Sequence, residues 1–266
     1  MSATILMLHG AFCGSWAFEP WRQFFGAHGY RCIAPDLRHH DRPPRANPHP
    51  DLGTTSVSDY ADDIAELIAG LDEKPIVIGH SMGGLVAQKL AARDLVAAAV
   101  LLAPSPPWGV LTSSEYEAAA ALGMMTAGTF WRESLQPLFQ IAADQSLHRL
   151  PYPAQKDVFS RFVPESGQAV FEIMYWMMDW RRASFVDASL VKCPMLVVAG
   201  SKDRINSAAT VRRIAQRYRG RTDFHEFPHH GHWLIGEPEW EDLAEFCRSW
   251  LAVPAHGGLP QHPAQG

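Results

Sequence analysis

Short apolar runs alternate with longer stretches of helical periodicity along most of the chain. Six short runs, several of them rich in β-branched residues, predict strands: 4–10, 31–36, 75–81, 98–104, 194–200 and 222–228. We expect each to be a strand buried on both faces of a sheet. Five stretches between them have helical spacing: 18–28, 57–71, 83–93, 207–219 and 237–251. This alternation predicts the α/β class, with a mostly parallel sheet covered by helices on both faces.

The alternation stops between residue 105 and about residue 191. This segment contains no convincing strand, and its spacing predicts four helices near residues 114–125, 129–142, 153–163 and 166–181. A helical insertion between two core strands that enters and leaves at the same edge of the sheet would lie above that edge, so we expect a helical cap. The predicted units are a core of residues 1–104 and 192–252, a cap of residues 105–191, and a Pro- and Gly-rich disordered tail of residues 253–266.

The segment "GHSMGG" places a serine at the junction of a predicted strand and a predicted helix. The spacing Gly79-x-Ser81-x-Gly83 is the pattern of a nucleophile elbow. A sharp turn strains the serine backbone, and the glycines remove Cβ atoms that would collide with the strand and the helix. The helix N-terminus would then favour a developing negative charge beside Ser81. In the alternative interpretation, Ser81 only caps the helix.

A serine nucleophile requires a base, and the base requires a third group to orient it. In a parallel sheet these groups follow later strands, with the acid before the histidine. Asp203 follows the fifth run and is the predicted acid, since Ser207 lies closer to the next helix and suits its N-cap better. His232 follows the sixth run as the candidate base, with His229 and His230 as local alternatives.

The histidines do not show the pattern of a metal site. No cysteine or carboxylate falls near residues 229–232 at recognisable ligand spacing, so we predict no metal and no cofactor. His39 and His40 lie together in a loop after the second run, and we interpret that loop as solvated.

Tryptophan and methionine are concentrated in the predicted cap, with "FEIMYWMMDW" apolar on more than one face of a helix. Such side chains both attach a cap to a core and line an apolar cavity. The predicted substrate-contacting residues are Phe12, Trp108, Trp131, Met174, Met178 and Trp233. Their chemistry favours an apolar or aromatic substrate.

Composition excludes several classes of partner. The chain has 266 residues and a formal charge of −5, and its basic residues do not cluster, so we expect no nucleic-acid partner. Four distant cysteines are interpreted as reduced thiols of a cytoplasmic protein. No signal peptide and no membrane-spanning run is evident, so we expect no membrane association. The expected state is a monomer or homodimer.

Five motifs together resemble the α/β-hydrolase superfamily across residues 4–252. They are "HG" (9–10), "APDLR" (34–38), "GHSMGG" (79–84), "AGSKDRI" (199–205) and "GHWLIGEPE" (231–239). The opening "HGAFCGSWAFEPW" is similar to the compact branch that contains esterases and hydroxynitrile lyases. The resemblance implies that His232 is the base and that the backbone amides of Ala11 and Met82 form the oxyanion hole, with Phe12 as a substitute for Ala11.

Departures from other members of the superfamily narrow the expected chemistry. The elbow carries Ser81 rather than the aspartate of dehalogenases and epoxide hydrolases. Gly10 is retained where related lyases have threonine, and Lys156 is the one lysine of the cap, so lyase activity is not expected. We therefore expect a serine hydrolase acting on a small-molecule ester or lactone.

Two alternatives remain open from sequence. One is a carbon-carbon bond hydrolase of ring-fission products, whose substrate carboxylate would be bound by Arg132, Arg181 or Arg182. The other is a non-catalytic ligand receptor on the same fold, because a fold does not determine a function.

Overall fold

The computed structural model describes residues 3–125 and 128–253. Its main sheet has six parallel strands in the order β2-β1-β3-β4-β7-β8. The strands are β1 (Thr4–Leu8), β2 (Arg31–Ile33), β3 (Ile76–His80), β4 (Ala98–Leu102), β7 (Met195–Gly200) and β8 (Thr222–Phe227). The predicted parallel α/β architecture is confirmed.

The core lies on both faces of this sheet because consecutive strand residues point to opposite sides. In β1, Ile5 and Met7 face one apolar cluster, whereas Leu6 and Leu8 face the other. The first cluster is closed by α1 (Glu19–Ala27) and α9 (Trp240–Leu251), and the second by α2 (Val57–Ala69), α3 (Met82–Ala92) and α8 (Ala208–Arg217). A doubly covered sheet explains the absence of polar alternation in its central strands.

The helices begin where their sequences provide capping groups. Ser56 and Asp59 form a reciprocal capping box at the start of α2, which pairs two otherwise unsatisfied amides. Ser207 caps α8 by accepting a hydrogen bond from the Thr210 amide, so Asp203 does not serve as that cap. α3 is buried along nearly its whole length, from Met82 to Ala91.

The two edge strands differ from the expectation of burial on both faces. In β2 Arg31 is exposed and its neighbours are half-buried, and in β8 no residue is fully buried. Each strand has one neighbour in the sheet, so water reaches its outer side. The prediction was wrong for these two strands because an apolar run does not reveal its position in a sheet.

Residues 105–191 are inserted between the neighbouring strands β4 and β7. They form α4 (Glu115–Met125), α5 (Phe139–Ile141), α6 (Tyr152–Ser160) and α7 (Gly167–Met174), together with a short antiparallel pair, β5 (Ser134–Leu135) and β6 (Glu165–Ser166). The prediction of four uninterrupted helices without a strand was wrong at residues 129–142 and 175–181. We call this segment the insertion.

The helix predicted over residues 166–181 ends at Met174. Beyond it, the Asp179 carboxylate accepts hydrogen bonds from the amides of Arg181 and Ala183. This local side-chain turn competes with continued helix formation. Among the described residues, no helix combines the length and apolar character needed to cross a membrane. The predicted tail lies, apart from Val253, outside the described residues.

Candidate active site

Four predicted site residues follow carboxyl ends of strands at one edge of the sheet. Ala11 lies beyond β1, Ser81 directly after β3, Asp203 beyond β7 and His232 beyond β8. From β1 the chain continues to β2 on one side, whereas from β3 it continues to β4 on the other, so the connections leave these neighbouring strands in opposite directions. Such a switch point opens a crevice in which α/β proteins bind ligands.

Ser81 occupies the turn between β3 and α3 in a strained conformation, with φ of 53° and ψ of −118°. A non-glycine residue with positive φ is uncommon and is maintained only by strong surrounding constraints. One constraint comes from Gly83, where a Cβ would collide with the carbonyls of Leu8 and His9. Gly10 approaches from β1, where a Cβ would lie 2.9 Å from the Ser81 Cβ. The turn at Ser81 therefore requires glycine at both Gly10 and Gly83.

Ser81, His232 and Asp203 form a hydrogen-bonded chain. Ser81 Oγ lies 3.0 Å from His232 Nε2, and His232 Nδ1 lies 2.9 Å from Asp203 Oδ2. The other Asp203 oxygen accepts hydrogen bonds from the amides of Ile205 and Asn206. With Asp203 accepting, Nδ1 carries a proton and the Nε2 lone pair faces Ser81 when the ring is neutral. All three side chains are buried.

Two amides beside Ser81 have no hydrogen-bond acceptor among the described residues. They belong to Met82, the first residue of α3, and to Ala11, in the loop after β1. The Phe12 amide, the alternative considered for Ala11, instead donates to the Glu165 carboxylate at 3.2 Å. Unpaired amide donors near a serine can bind an anionic oxygen.

The loop that carries His232 is held through its backbone. Glu237 accepts hydrogen bonds from the Gly231 amide at 2.7 Å and the Trp233 amide at 3.1 Å, one on each side of His232. Burial raises the pKa of the Glu237 carboxyl to about 7, even though both amides favour its ionised form. His80 Nε2 donates to the His232 carbonyl at 2.7 Å. Burial, with His232 beside it, lowers the pKa of His80 to about 3, so this ring is neutral.

Neither ring of the alternative histidines forms a hydrogen bond with Ser81 or Asp203. His229 is exposed, and its carbonyl accepts a hydrogen bond from Arg149. His230 is buried against Phe227, and neither of its ring nitrogens has a partner among the described residues. The structure thus brings His232, and not its neighbours, to Ser81. The described part of the chain also contains no group of three His, Cys, Asp or Glu side chains arranged to hold a metal ion.

The predicted substrate-contacting residues occupy different environments. The rings of Trp108 and Trp131 are half-buried in aromatic contacts within the insertion, Trp108 with Trp176 and Trp131 with Phe171. Met178 is 64% exposed.

Met174 is the half-buried last residue of α7. Phe12 is also half-buried and packs against the core cluster of α1 and α9. Trp233 is 4% exposed and packs between Trp16 and Phe162, so its ring offers little surface to a substrate.

The cationic side chains considered from the sequence lie on the surface. Arg132, Arg181, Arg182 and Lys156 are all exposed. Arg182 lies over the Trp108 ring at 4.6 Å and Lys156 over the Tyr152 ring at 4.6 Å. No contact among the described residues directs any of them to Ser81.

Comparison with known proteins agrees with this architecture. The model of the alpha/beta hydrolase family matches residues 5–246. The chain belongs to the alpha/beta hydrolase family. Among curated relatives of this alpha/beta hydrolase, a homoserine O-acetyltransferase of Deinococcus radiodurans is 29% identical over 181 residues, which is 62% of this chain and 52% of the relative. The alignment thus spans about half the length of that relative.

Solved structures of distant sequence share the fold of this alpha/beta hydrolase. A monoacylglycerol lipase of Paleococcus ferrophilus has a TM-score of 0.66 at 23% identity and covers 93% of both chains. A pyrethroid hydrolase of Sphingobium faniae has a TM-score of 0.68 at 20% identity, covering 96% of this chain and 99% of the other. At these identities the likeness concerns the fold.

Three polar side chains at the site of this alpha/beta hydrolase were missed by sequence reasoning. Glu237 and His80 lie within recognised motifs, and only their neighbours were assigned a role. Glu165, in the insertion, is fully buried and contacts the loop after β1. Its segment "PESGQ" is polar and indicates a helix start, so the sequence pattern contained no signal of its burial.

Proposed function

We propose that this protein is a serine hydrolase that cleaves carboxylic esters or lactones of apolar or aromatic small molecules through an acyl-enzyme. The observation that carries the proposal is the pair of hydrogen bonds from Ser81 to His232 and from His232 to Asp203, at 3.0 and 2.9 Å. This order of hydroxyl, imidazole and carboxylate suits proton transfer away from the serine.

In the proposed reaction, His232 Nε2 takes the Ser81 proton while Ser81 Oγ attacks the carbonyl carbon. The amides of Ala11 and Met82 donate hydrogen bonds to the resulting oxyanion, and Asp203 stabilises the imidazolium. His232 then protonates the leaving alcohol. Water, deprotonated by His232, hydrolyses the acyl-enzyme and restores Ser81.

The insertion is proposed to act as the cap of this site and to supply its apolar wall. Trp108, Trp131, Met174 and Met178 are the residues we propose for contact with the acyl or alcohol group. Neighbours of the same fold named as a lipase and as a pyrethroid hydrolase support hydrolytic chemistry as the starting hypothesis. Arg132, Arg181 and Arg182 are exposed. Their positions favour an ester over a substrate whose carboxylate must be bound by a cationic side chain.

The first test is Ser81→Ala with short p-nitrophenyl esters. We expect turnover to fall on the order of a thousandfold or more, since the remaining groups cannot form an acyl-enzyme, while the melting temperature stays close to that of the wild type. Ester hydrolysis that survives unchanged would remove Ser81 from the mechanism.

A fluorophosphonate probe separates an enzyme from a receptor on the same fold. We expect the probe to label Ser81 of the wild-type protein and not the Ser81→Ala variant. Ligand binding without labelling and without turnover of esters, lactones or vinylogous diketones would favour the receptor. Turnover of the diketones in preference to esters would favour the carbon-carbon hydrolase.

A further inference from the structure

A buried ion pair connects the insertion to the loop after β2. Glu165, in β6 of the insertion, and His40, in the loop after β2, are 0% and 2% exposed, and His40 Nε2 lies 3.0 Å from Glu165 Oε2. The expectation of a solvated loop was therefore wrong for His40. The pair belongs to neither the proposed proton-transfer chain nor the predicted substrate wall.

The hydrogen bonds define the charge of both partners. His40 Nδ1 contacts the Arg38 carbonyl at 3.0 Å, and Nε2 contacts the carboxylate. A carbonyl can only accept, so Nδ1 donates to Arg38, and with Glu165 ionised Nε2 donates as well and the ring is an imidazolium. The pKa of His40 is raised and that of Glu165 is lowered in spite of their burial, as expected for an ion pair.

The Glu165 carboxylate has donors on both oxygens. Oε2 accepts from His40 and from the Phe12 amide, while Oε1 accepts from the Tyr60 hydroxyl at 2.8 Å and the Ser166 amide at 2.6 Å. Of these donors, Phe12 is the residue next to Ala11, and its amide belongs to the peptide group that joins the two. This bond therefore fixes the orientation of the peptide plane directly after Ala11.

Phe12 needs such support because its backbone is strained. Its φ is 63°, which is uncommon for an aromatic residue. The insertion holds both polar groups of its backbone, since the Phe12 carbonyl also accepts a hydrogen bond from the Val163 amide at 2.9 Å. With Phe12 fixed in this way, the Ala11 amide stays without an acceptor among the described residues and available beside Ser81.

We propose that Glu165 is a positioning residue, which holds the loop after β1 through the Phe12 amide and thereby orients the Ala11 amide toward an oxyanion formed at Ser81. The insertion on this view helps to complete the oxyanion hole. The inference rests on the proposed ester hydrolysis, and its test is separate from the tests of Ser81.

The central experiment compares Glu165→Ala with Glu172→Ala. Glu172 is a matched control because it is also a buried carboxylate of the insertion, but it accepts from Ser56 and Val57 at the start of α2 and not from the loop after β1. For Glu165→Ala we expect kcat to fall about tenfold to a hundredfold with KM within about twofold, somewhat less than complete loss of an oxyanion donor. Glu172→Ala should keep kcat within about twofold below its melting temperature.

A transition-state analogue distinguishes positioning from general destabilisation. A boronic acid inhibitor forms a tetrahedral adduct on serine, and its dissociation constant should rise in Glu165→Ala by about the same factor as kcat/KM falls. Tyr60→Phe removes a different donor from the same carboxylate and should lose less activity than Glu165→Ala. Equal losses in the Glu165 and Glu172 variants, or unchanged inhibitor affinity in Glu165→Ala, would overturn the proposal.

Two measurements keep the inference testable if Glu165→Ala does not fold. Glu165→Gln, which replaces one of the two acceptor oxygens by an amide that cannot accept, is assayed in the same way and should show a fall in kcat, smaller than that expected for Glu165→Ala, with an unchanged KM. In the wild-type protein, the Phe12 amide should exchange with deuterium much more slowly than the amide of a solvent-exposed loop. Fast exchange would contradict the hydrogen bond on which the proposal depends. If the wild type hydrolyses esters and Ser81→Ala does not, failure of these tests concerns Glu165 alone.

Discussion

The six-stranded sheet and the insertion are built in different ways. The central strands of the sheet are buried throughout and have continuous parallel register, and helices cover both faces. The insertion has short helices, a two-residue strand pair and exposed apolar side chains such as Met177 at 74% and Trp180 at 84% exposure. Buried carboxylates, Glu165 and Glu172, join it to the rest of the chain.

This difference separates the chemistry of the proposed enzyme from its choice of substrate. The loops that carry Ser81, Asp203 and His232 are fixed by packed strands and by glycines that admit no side chain, so the reacting groups have little freedom. The apolar residues of the insertion are held by fewer buried contacts. We infer that the sheet determines the chemistry and that the insertion determines which substrates reach it.

Gly83→Ala tests the rigidity of the sheet and has the largest expected effect. The new methyl group would collide with two backbone carbonyls, so we expect a loss of stability of about 3 kcal/mol and a fall in ester turnover of at least a hundredfold. Urea unfolding and kcat report the two quantities. Gly26→Ala, in α1 with no atom near the added methyl, is the control and should preserve both. A wild-type-like Gly83→Ala variant would contradict the close packing of the elbow.

Glu237 provides an intermediate test, in the loop of His232. Because burial raises its pKa from 4.5 to about 7, the folded protein binds this proton more tightly than the unfolded chain. Its contribution to stability is therefore fully present below pH 4.5 and declines as the pH rises through about 7. Relative to Glu237→Gln, the free energy of unfolding of the wild type should fall by on the order of 3 kcal/mol across this interval.

The measurement is urea unfolding of both proteins from pH 4.5 to pH 8. If the two proteins differ in unfolding free energy by the same amount at every pH, Glu237 has the same charge in the folded and unfolded states. In that case the Gly231 and Trp233 amides would still bind the Glu237 carboxylate, but its protonation would not make stability depend on pH.

Met178→Ala tests the insertion and has the smallest expected effect. Since Met178 is 64% exposed, its truncation should leave the melting temperature unchanged. If the side chain contacts substrate, KM for an aromatic ester should rise about twofold to fivefold, equivalent to about 0.4–1 kcal/mol. Leu190→Ala, at 52% exposure in another part of the insertion, is the control. Equal effects in the two variants would argue against a substrate contact at Met178.

The parts of the fold that depend on neighbouring residues in the chain could be predicted from sequence. Runs of aliphatic residues located the strands, and glycines around Ser81 located the turn, because each constraint acts within a few residues. The same reasoning failed for β2 and β8, whose exposure depends on their place at the sheet edges. It also failed after Met174, where the Asp179 carboxylate forms a turn in a segment with helical periodicity.

The ion pair of Glu165 and His40 could not be predicted in this way. The two residues lie far apart in sequence, each in a polar segment that is typical of solvent exposure. Their burial depends on the insertion folding back over the loop after β1, which no local pattern encodes. The charged residues that hold the candidate site together therefore became evident only from the structure.

The direct pairing of β4 with β7 has a consequence for the diversity of such proteins. Val100 lies opposite Leu196 in a parallel pair, so the chain leaves at the carboxyl end of β4 and returns at the amino end of the strand beside it. Neighbouring strands lie about 4.8 Å apart, whatever the length of the segment between them. Recombination that exchanges this segment would leave the proposed catalytic residues in register, provided that the new segment brings its own acceptor for the Phe12 amide.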